Sequence, residues 1–233
     1  MKQVSFILST LVLLAACNSS PKTDEGAKKA DTTAVAAKPA DTSTPKMDSA
    51  AMMKAWQDYM TPGPMHKVLA SMAGKWKVET TMWMSPGAQP MTSTTESENT
   101  MIMGGRYMEQ KVHGDMGGMQ FEGLGTFAYD NAKKMFLATW VDNMGTGIVN
   151  FEGPYDEATK TISIKGKCLD PSTGKDGEMR ETIKIVDDNN ETMEIYFTPA
   201  GGKEFKKHGN ETDKSYSLCN ETNKKVIKYY LKQ

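Results

Sequence analysis

Long hydrophobic runs, arginine and cysteine are what this sequence has least of. Its most apolar stretch, Phe6 to Leu14, is too short to cross a bilayer as a mature helix. Arginine occurs only at Arg106 and Arg180, and 28 lysines and arginines stand against 29 aspartates and glutamates, a formal net charge of −1. That balance gives no basic surface for nucleic acid, and no acidic tail accompanies it. Three cysteines are too few for a disulfide scaffold; Cys168 and Cys219 are the pair available outside the leader, and a buried free thiol at Cys168 is the simpler reading. No nucleophile elbow, phosphate loop or metal-ligand cluster is present, so the sequence names no reaction, cofactor or metal. Helical periodicity is missing between the strand-like segments, which excludes a parallel sheet with crossover helices.

What is there begins with a leader. Lys2 and the run Phe6 to Leu14 read as an export signal, and Leu14-Ala15-Ala16-Cys17 resembles the bacterial lipobox, in which the cysteine is lipidated and becomes the first residue. Cys17 is therefore the expected membrane anchor. Asn18 in place of aspartate favours the outer membrane, so the expected location is the bacterial cell envelope, in either leaflet. Residues 18–48, made of Ala, Lys, Asp, Thr, Ser and Pro, have almost nothing to bury and read as a tether.

At Ser49 the character changes. Ala51, Met52, Ala55, Trp56 and Tyr59 recur at helical spacing, Thr61-Pro62-Gly63-Pro64 breaks the pattern, and Met65, Val68, Leu69 and Met72 resume it until Gly74. Two short helices, acting as a lid or plug, are expected. From Trp76 the period becomes two: Trp76, Val78, Thr80 and Met82 share one face. Ile162, Ile164 and Cys168 alternate with Ser163, Lys165 and Lys167, and Gly123 and Gly125 mark a bend or a close approach. Nine or ten strands with short turns predict an all-β fold, an antiparallel up-and-down barrel over 49–206 with its helices at the N-terminal end. Every strand carries a charged face, so a transmembrane barrel is not expected.

After Lys206 the alternation fails. Codons for Lys206 through Ser215, read one nucleotide later, can spell Lys-Asn-Met-Glu-Met-Lys-Leu-Thr-Arg, a clean period-two strand. Residues 207–233 are accordingly read as a doubtful polar tail, either a frameshift product or a genuine polar extension in which Val226 to Leu231 is a late strand. The expectation that follows is a barrel without its native closing strand.

Pro62-Gly63-Pro64-Met65-His66, Gly74-Lys75-Trp76, Gly104-Gly105-Arg106-Tyr107, Phe121-Glu122-Gly123, Tyr129-Asp130-Asn131, Trp140 through Gly147, Asp170-Pro171 and Glu204-Phe205-Lys206 together resemble a bacterial family known only as domain of unknown function 1579. The resemblance implies a calycin-like barrel and no chemistry. The family's terminal Met-Glu strand is absent in frame but is similar to the shifted reading. Gly74-Lys75-Trp76 also resembles the Gly-x-Trp opening of lipocalins, which implies that Trp76 plugs one barrel end against a basic residue, here Arg180.

The expected function is binding of a small apolar or amphipathic molecule inside the barrel, with Trp76, Met82, Arg106, Met108, Tyr129 and Trp140 as lining candidates. Polar candidates at the mouth are His66, Glu122, Asp130, Asp142, Asn143 and Thr146. Were His66, Arg106, Glu122, Asp130 and Asp142 to converge, a base beside paired carboxylates would result. Asp130, Asn131, Asp142 and Asn143 are read first as turn formers. Met82, Met84, Met101, Met103, Met116 and Met119 are read as adaptable packing and cavity lining rather than copper ligands. The alternative function is a non-catalytic scaffold binding protein or glycan through the turn Asp142 to Gly147; an enzyme comes third.

Overall fold

From Gly74 onward the two-residue alternation becomes a wall with an inside and an outside. The computed structural model describes residues 48–214. Its strands are β1 (Gly74–Met82), β2 (Met91–Ile102), β3 (Tyr107–Met116), β4 (Met119–Asp130), β5 (Met135–Asp142) and β6 (Val149–Gly153). After these come β7 (Tyr155–Asp156), β8 (Thr161–Asp170), β9 (Lys175–Ile185), β10 (Asn190–Thr198) and β11 (Phe205–Asp213). All pairs are antiparallel, and β11–β1 and β6–β8 pairings close the ring, so the fold is an up-and-down barrel. The two-residue β7 is the continuation of β6 beyond Pro154, which has no N–H to donate; its carbonyl still accepts from Ser163 N at 3.0 Å. At this seam the strands lie so close that a Cβ on Gly153 would run into the Ser163 carbonyl.

β11 corrects the expected boundary. The barrel wall runs past Lys206 to Asp213, and the strand pairs with β1 from Met82–His208 to Lys77–Asp213 and with β10 on its other side. A closing strand is therefore present in this frame, although its side-chain pattern did not announce it. Two unpaired backbone rows, on β1 and β10, are what hold it there.

The helices divide in role. In α2 (Pro64–Ser71), Pro64 suits the first turn and the His66 Nδ1 accepts the Gly63 N–H at 3.0 Å. Leu69 and Met72 are buried among Met108, Phe127, Phe136 and Ile162, so α2 is the plug. α1 (Ser49–Met60) buries nothing. It is neither lid nor plug, and Trp56 is 59% exposed. Its cap is Asp48 rather than Ser49. Its last carbonyls, on Asp58, Tyr59 and Thr61, all accept from the Asn131 amide at 2.8–3.1 Å, which ties the helix to the β4–β5 turn.

Cys17, Cys219 and the tail beyond Lys214 lie outside the described residues.

Candidate functional site

Strand register decides which side chains share the interior. One arc, β3 to β9, is largely aromatic and aliphatic: Met108, Phe127, Phe136, Phe151, Ile162, Ile164 and Ile183 are all at most 5% exposed. The opposite arc is polar. Thr80, Thr95, Ser97 and Asn99 are buried on β1 and β2. His208, Asn210 and Thr212 occupy the inward register of β11, opposite Met82, Thr80 and Val78.

The α2 end is a built floor. The Met72 carbonyl accepts from Trp76 Nε1 and from Asn99 Nδ2, both at 3.0 Å, and Ser97 Oγ bonds Asn99 Oδ1 at 2.8 Å. Lys214 Nζ donates to the Ser71 carbonyl at 2.7 Å and stands 4.4 Å from the Trp76 ring centroid. A cation at a helix C-terminus and over an indole satisfies both. The expected plug is therefore observed with a different partner. Arg180 points outward, forms a two-pronged pair with Glu204 at 2.8 and 2.9 Å, and lies over Tyr196. Its strand parity is opposite to that of inward-facing Met179 and Glu181, which is why charge alone misassigned it.

Among the lining candidates, Trp76, Met108 and Tyr129 belong to this floor. Met82 and Trp140 lie toward the other end. Arg106 is not in the interior: it is exposed in the β2–β3 turn and donates to the Met103 carbonyl at 3.2 Å. His66 is buried at the floor, edge-on to Tyr129. Burial, then the Arg106 charge, lower its pKa, so the ring is neutral and serves as a cap.

The polar candidates do not converge. Asp130 sits at the floor end of the β4–β5 hairpin and Asp142 near its opposite end, roughly 24 Å along the strands at ~3.4 Å per residue. Asp130 Oδ1 accepts from the Ala132 and Lys133 N–H groups. Asp142 accepts from Met144 N and from Trp140 Nε1, and Asn143 exchanges hydrogen bonds with the β4 backbone at Gln120 and Glu122. These are turn formers, as read. Glu122 and Thr146 are exposed. Gly123 and Gly125 are explained by Trp140: its indole, held flat by Asp142, lies where a Cβ on Gly123 would be.

At the mouth opposite α2, four loops present apolar side chains to solvent. Met84 is 65% exposed, Met119 53%, Met144 53%, Ile148 64% and Leu169 62%. Met84, Met103 and Met119 therefore are not core packing, whereas Met82 and Met101 face inward, and the Met116 side chain is half-buried.

Three interior groups were missed. Glu181 is 8% exposed, and among the described residues no hydrogen bond or ion pair reaches it; burial alone pushes its carboxyl up to about 7. Glu191 rises to about 7 through burial, opposed by the charge of Lys214. His208 falls to about 4 through burial and then the Lys207 charge. The signal for Glu181 was legible: it falls in phase with Met179, Ile183 and Ile185.

No curated protein matches this chain. A family model described as "Protein of unknown function (DUF1579)" matches residues 61–208.

Proposed function

The chain belongs to the DUF1579 family, and from that premise we propose that its barrel binds a small amphipathic molecule in the bacterial cell envelope. The observation that carries this reading is Glu181. An unpaired carboxyl inside a wall of Ile164, Ile183 and Ile195 costs free energy by itself and gains a partner when a ligand brings a hydrogen-bond donor or a cation. The aromatic arc of Phe127, Phe136 and Phe151 suits the ligand's apolar body. The Met- and Ile-bearing mouth supports entry from that end, since thioether chains adapt to irregular apolar surfaces.

Native mass spectrometry of protein purified from its own envelope tests this. A co-purifying small molecule, lost or weakened in Glu181→Gln, is the expected result; a bare mass under the gentlest conditions counts against binding.

The location rests on the Leu14-Ala15-Ala16-Cys17 motif. Lipidation at Cys17 anchors the domain, and 18–48 supplies its reach, most simply at the outer membrane. Cys17→Ser is expected to move the protein from the membrane to the soluble fraction; unchanged membrane association rejects the anchor.

The scaffold reading keeps one supporting observation, the exposed Met144 and Ile148 at the β5–β6 loop. Capture of a specific envelope partner that is abolished by Met144→Ser/Ile148→Ser and spared by Glu181→Gln favours it.

A further inference from the structure

β11 has the wrong side chains for its place. A strand that closes a barrel places alternate residues in the core, and here those residues are His208, Asn210 and Thr212. Asn210 Oδ1 is buried without a hydrogen-bond partner. His208 is held far from its ordinary protonation range by burial. Thr212 returns its hydroxyl to the Glu191 carbonyl. Unmade hydrogen bonds of this kind are what a folded core avoids.

We propose that the coding sequence carries one inserted nucleotide in the lysine codons 206–207, and that the native strand is the reading one nucleotide later. With the synonymous codons that permit it, that reading places methionine at positions 208 and 210 and leucine at 212, all inward, and asparagine, glutamate, lysine and threonine at the outward positions 207, 209, 211 and 213. It places arginine at 214, where Lys214 already lies over Trp76 and caps Ser71, so the floor survives in either frame. Sliding the same residues one position along the strand would turn asparagine, glutamate and lysine inward instead.

The code itself is permissive of this. No synonymous choice for residues 206–214 introduces a stop in the shifted frame. The histidine and asparagine codons, each followed by the guanine that opens the next codon, give ATG whenever they end in T. Two adjacent lysine codons are rich in adenine, and identical neighbours let a strand slip during copying. Independently of the barrel, the family match ends at residue 208, at the start of the anomalous segment.

The consequence reaches the binding reading. With β11 apolar, Glu181 and Glu191 are the acids of a mostly apolar interior, and Glu191 faces the arginine of the floor. The amphipathic-ligand proposal does not depend on this, since Glu181 lies on β9.

Two measurements decide it. The nucleotide sequence across codons 206–215, taken from the source genome by independent reads, is expected to lack one adenine or to spell the apolar strand in the shifted frame. A sequence whose shifted codons give threonine at 208 or 210 overturns the proposal. In the full chain, His208→Met/Asn210→Met/Thr212→Leu is expected to raise the urea midpoint by about 1 M or more. A midpoint unchanged or lowered overturns it as well. Glu181→Gln, made in both backgrounds, keeps the result separate from ligand binding: the midpoint gain of the triple variant persists whether or not a ligand is found.

Discussion

β8 and β11 hold equivalent places in the ring, each a long strand hydrogen-bonded on both sides, yet they are built by opposite means. β8 turns Ile162 and Ile164 into the core at 0% exposure. β11 turns in His208, Asn210 and Thr212. One strand is driven by its own side chains and the other is held by its neighbours' backbones. The difference teaches that closure of a sheet is a property of the ring, and that a segment can be a strand because two edges need it.

The largest test of this contrast is truncation in the apolar arc. Phe136→Ala, at 0% exposure, is expected to cost about 3–5 kcal/mol, and Ile164→Ala about 2–5 kcal/mol, whereas Thr212→Ala stays within about 1 kcal/mol by urea denaturation. Equal losses on both strands would erase the distinction.

Next in size is overpacking at the aromatic cover. Gly123→Ala places a methyl against the Trp140 ring and is expected to cost about 1–3 kcal/mol. Adding Trp140→Leu removes the clash, so the double variant is expected to lose less than the sum of the single losses; strict additivity would mean the two residues do not touch.

The pH dependence follows the interior acids. Glu181 and Glu191 keep their protons to about pH 7 when folded and release them near 4.5 when unfolded, so stability falls as pH rises from 4.5 to 7 and levels off above. His208, neutral in the fold down to about 4, works the other way and loses stability as pH falls from 6.5 toward 4. Two carboxyls against one imidazole leave a net loss on raising the pH. Glu181→Gln is expected to flatten that slope by up to about 1.4 kcal/mol per pH unit, read from urea midpoints at pH 5, 6 and 7. An unchanged slope would place Glu181 in water.

The smallest effect is at the outer surface. Arg180→Lys exchanges a two-pronged pair with Glu204 for a single contact and is expected to cost less than about 1 kcal/mol. A loss as large as that of Ile164→Ala would mean Arg180 has an interior role after all.

The architecture was legible because alternation survives in most strands: Trp76-x-Val78-x-Thr80 and Ile162-x-Ile164 print the inner face directly. The plug was legible for the same reason, through Leu69 and Met72 at helical spacing. α1 was not, since its apolar stripe of Met52, Trp56 and Tyr59 looks like a buried face and stays exposed. Register is what a single chain hides. Asp130 and Asp142 look like partners in sequence and lie at opposite ends of a hairpin, and Arg180 looks like a plug residue until parity turns it outward. Glu181 was overlooked because an acid in an apolar phase is easily read as surface.

A closed loop has no loose end to fray, and that cuts both ways. Releasing one member of a linear sheet exposes a single flank; releasing β11 bares β1 and β10 together, two complementary rows able to capture strands from other copies. The strand with the least intrinsic claim to its place is thus the one whose departure would turn a solitary molecule into a template.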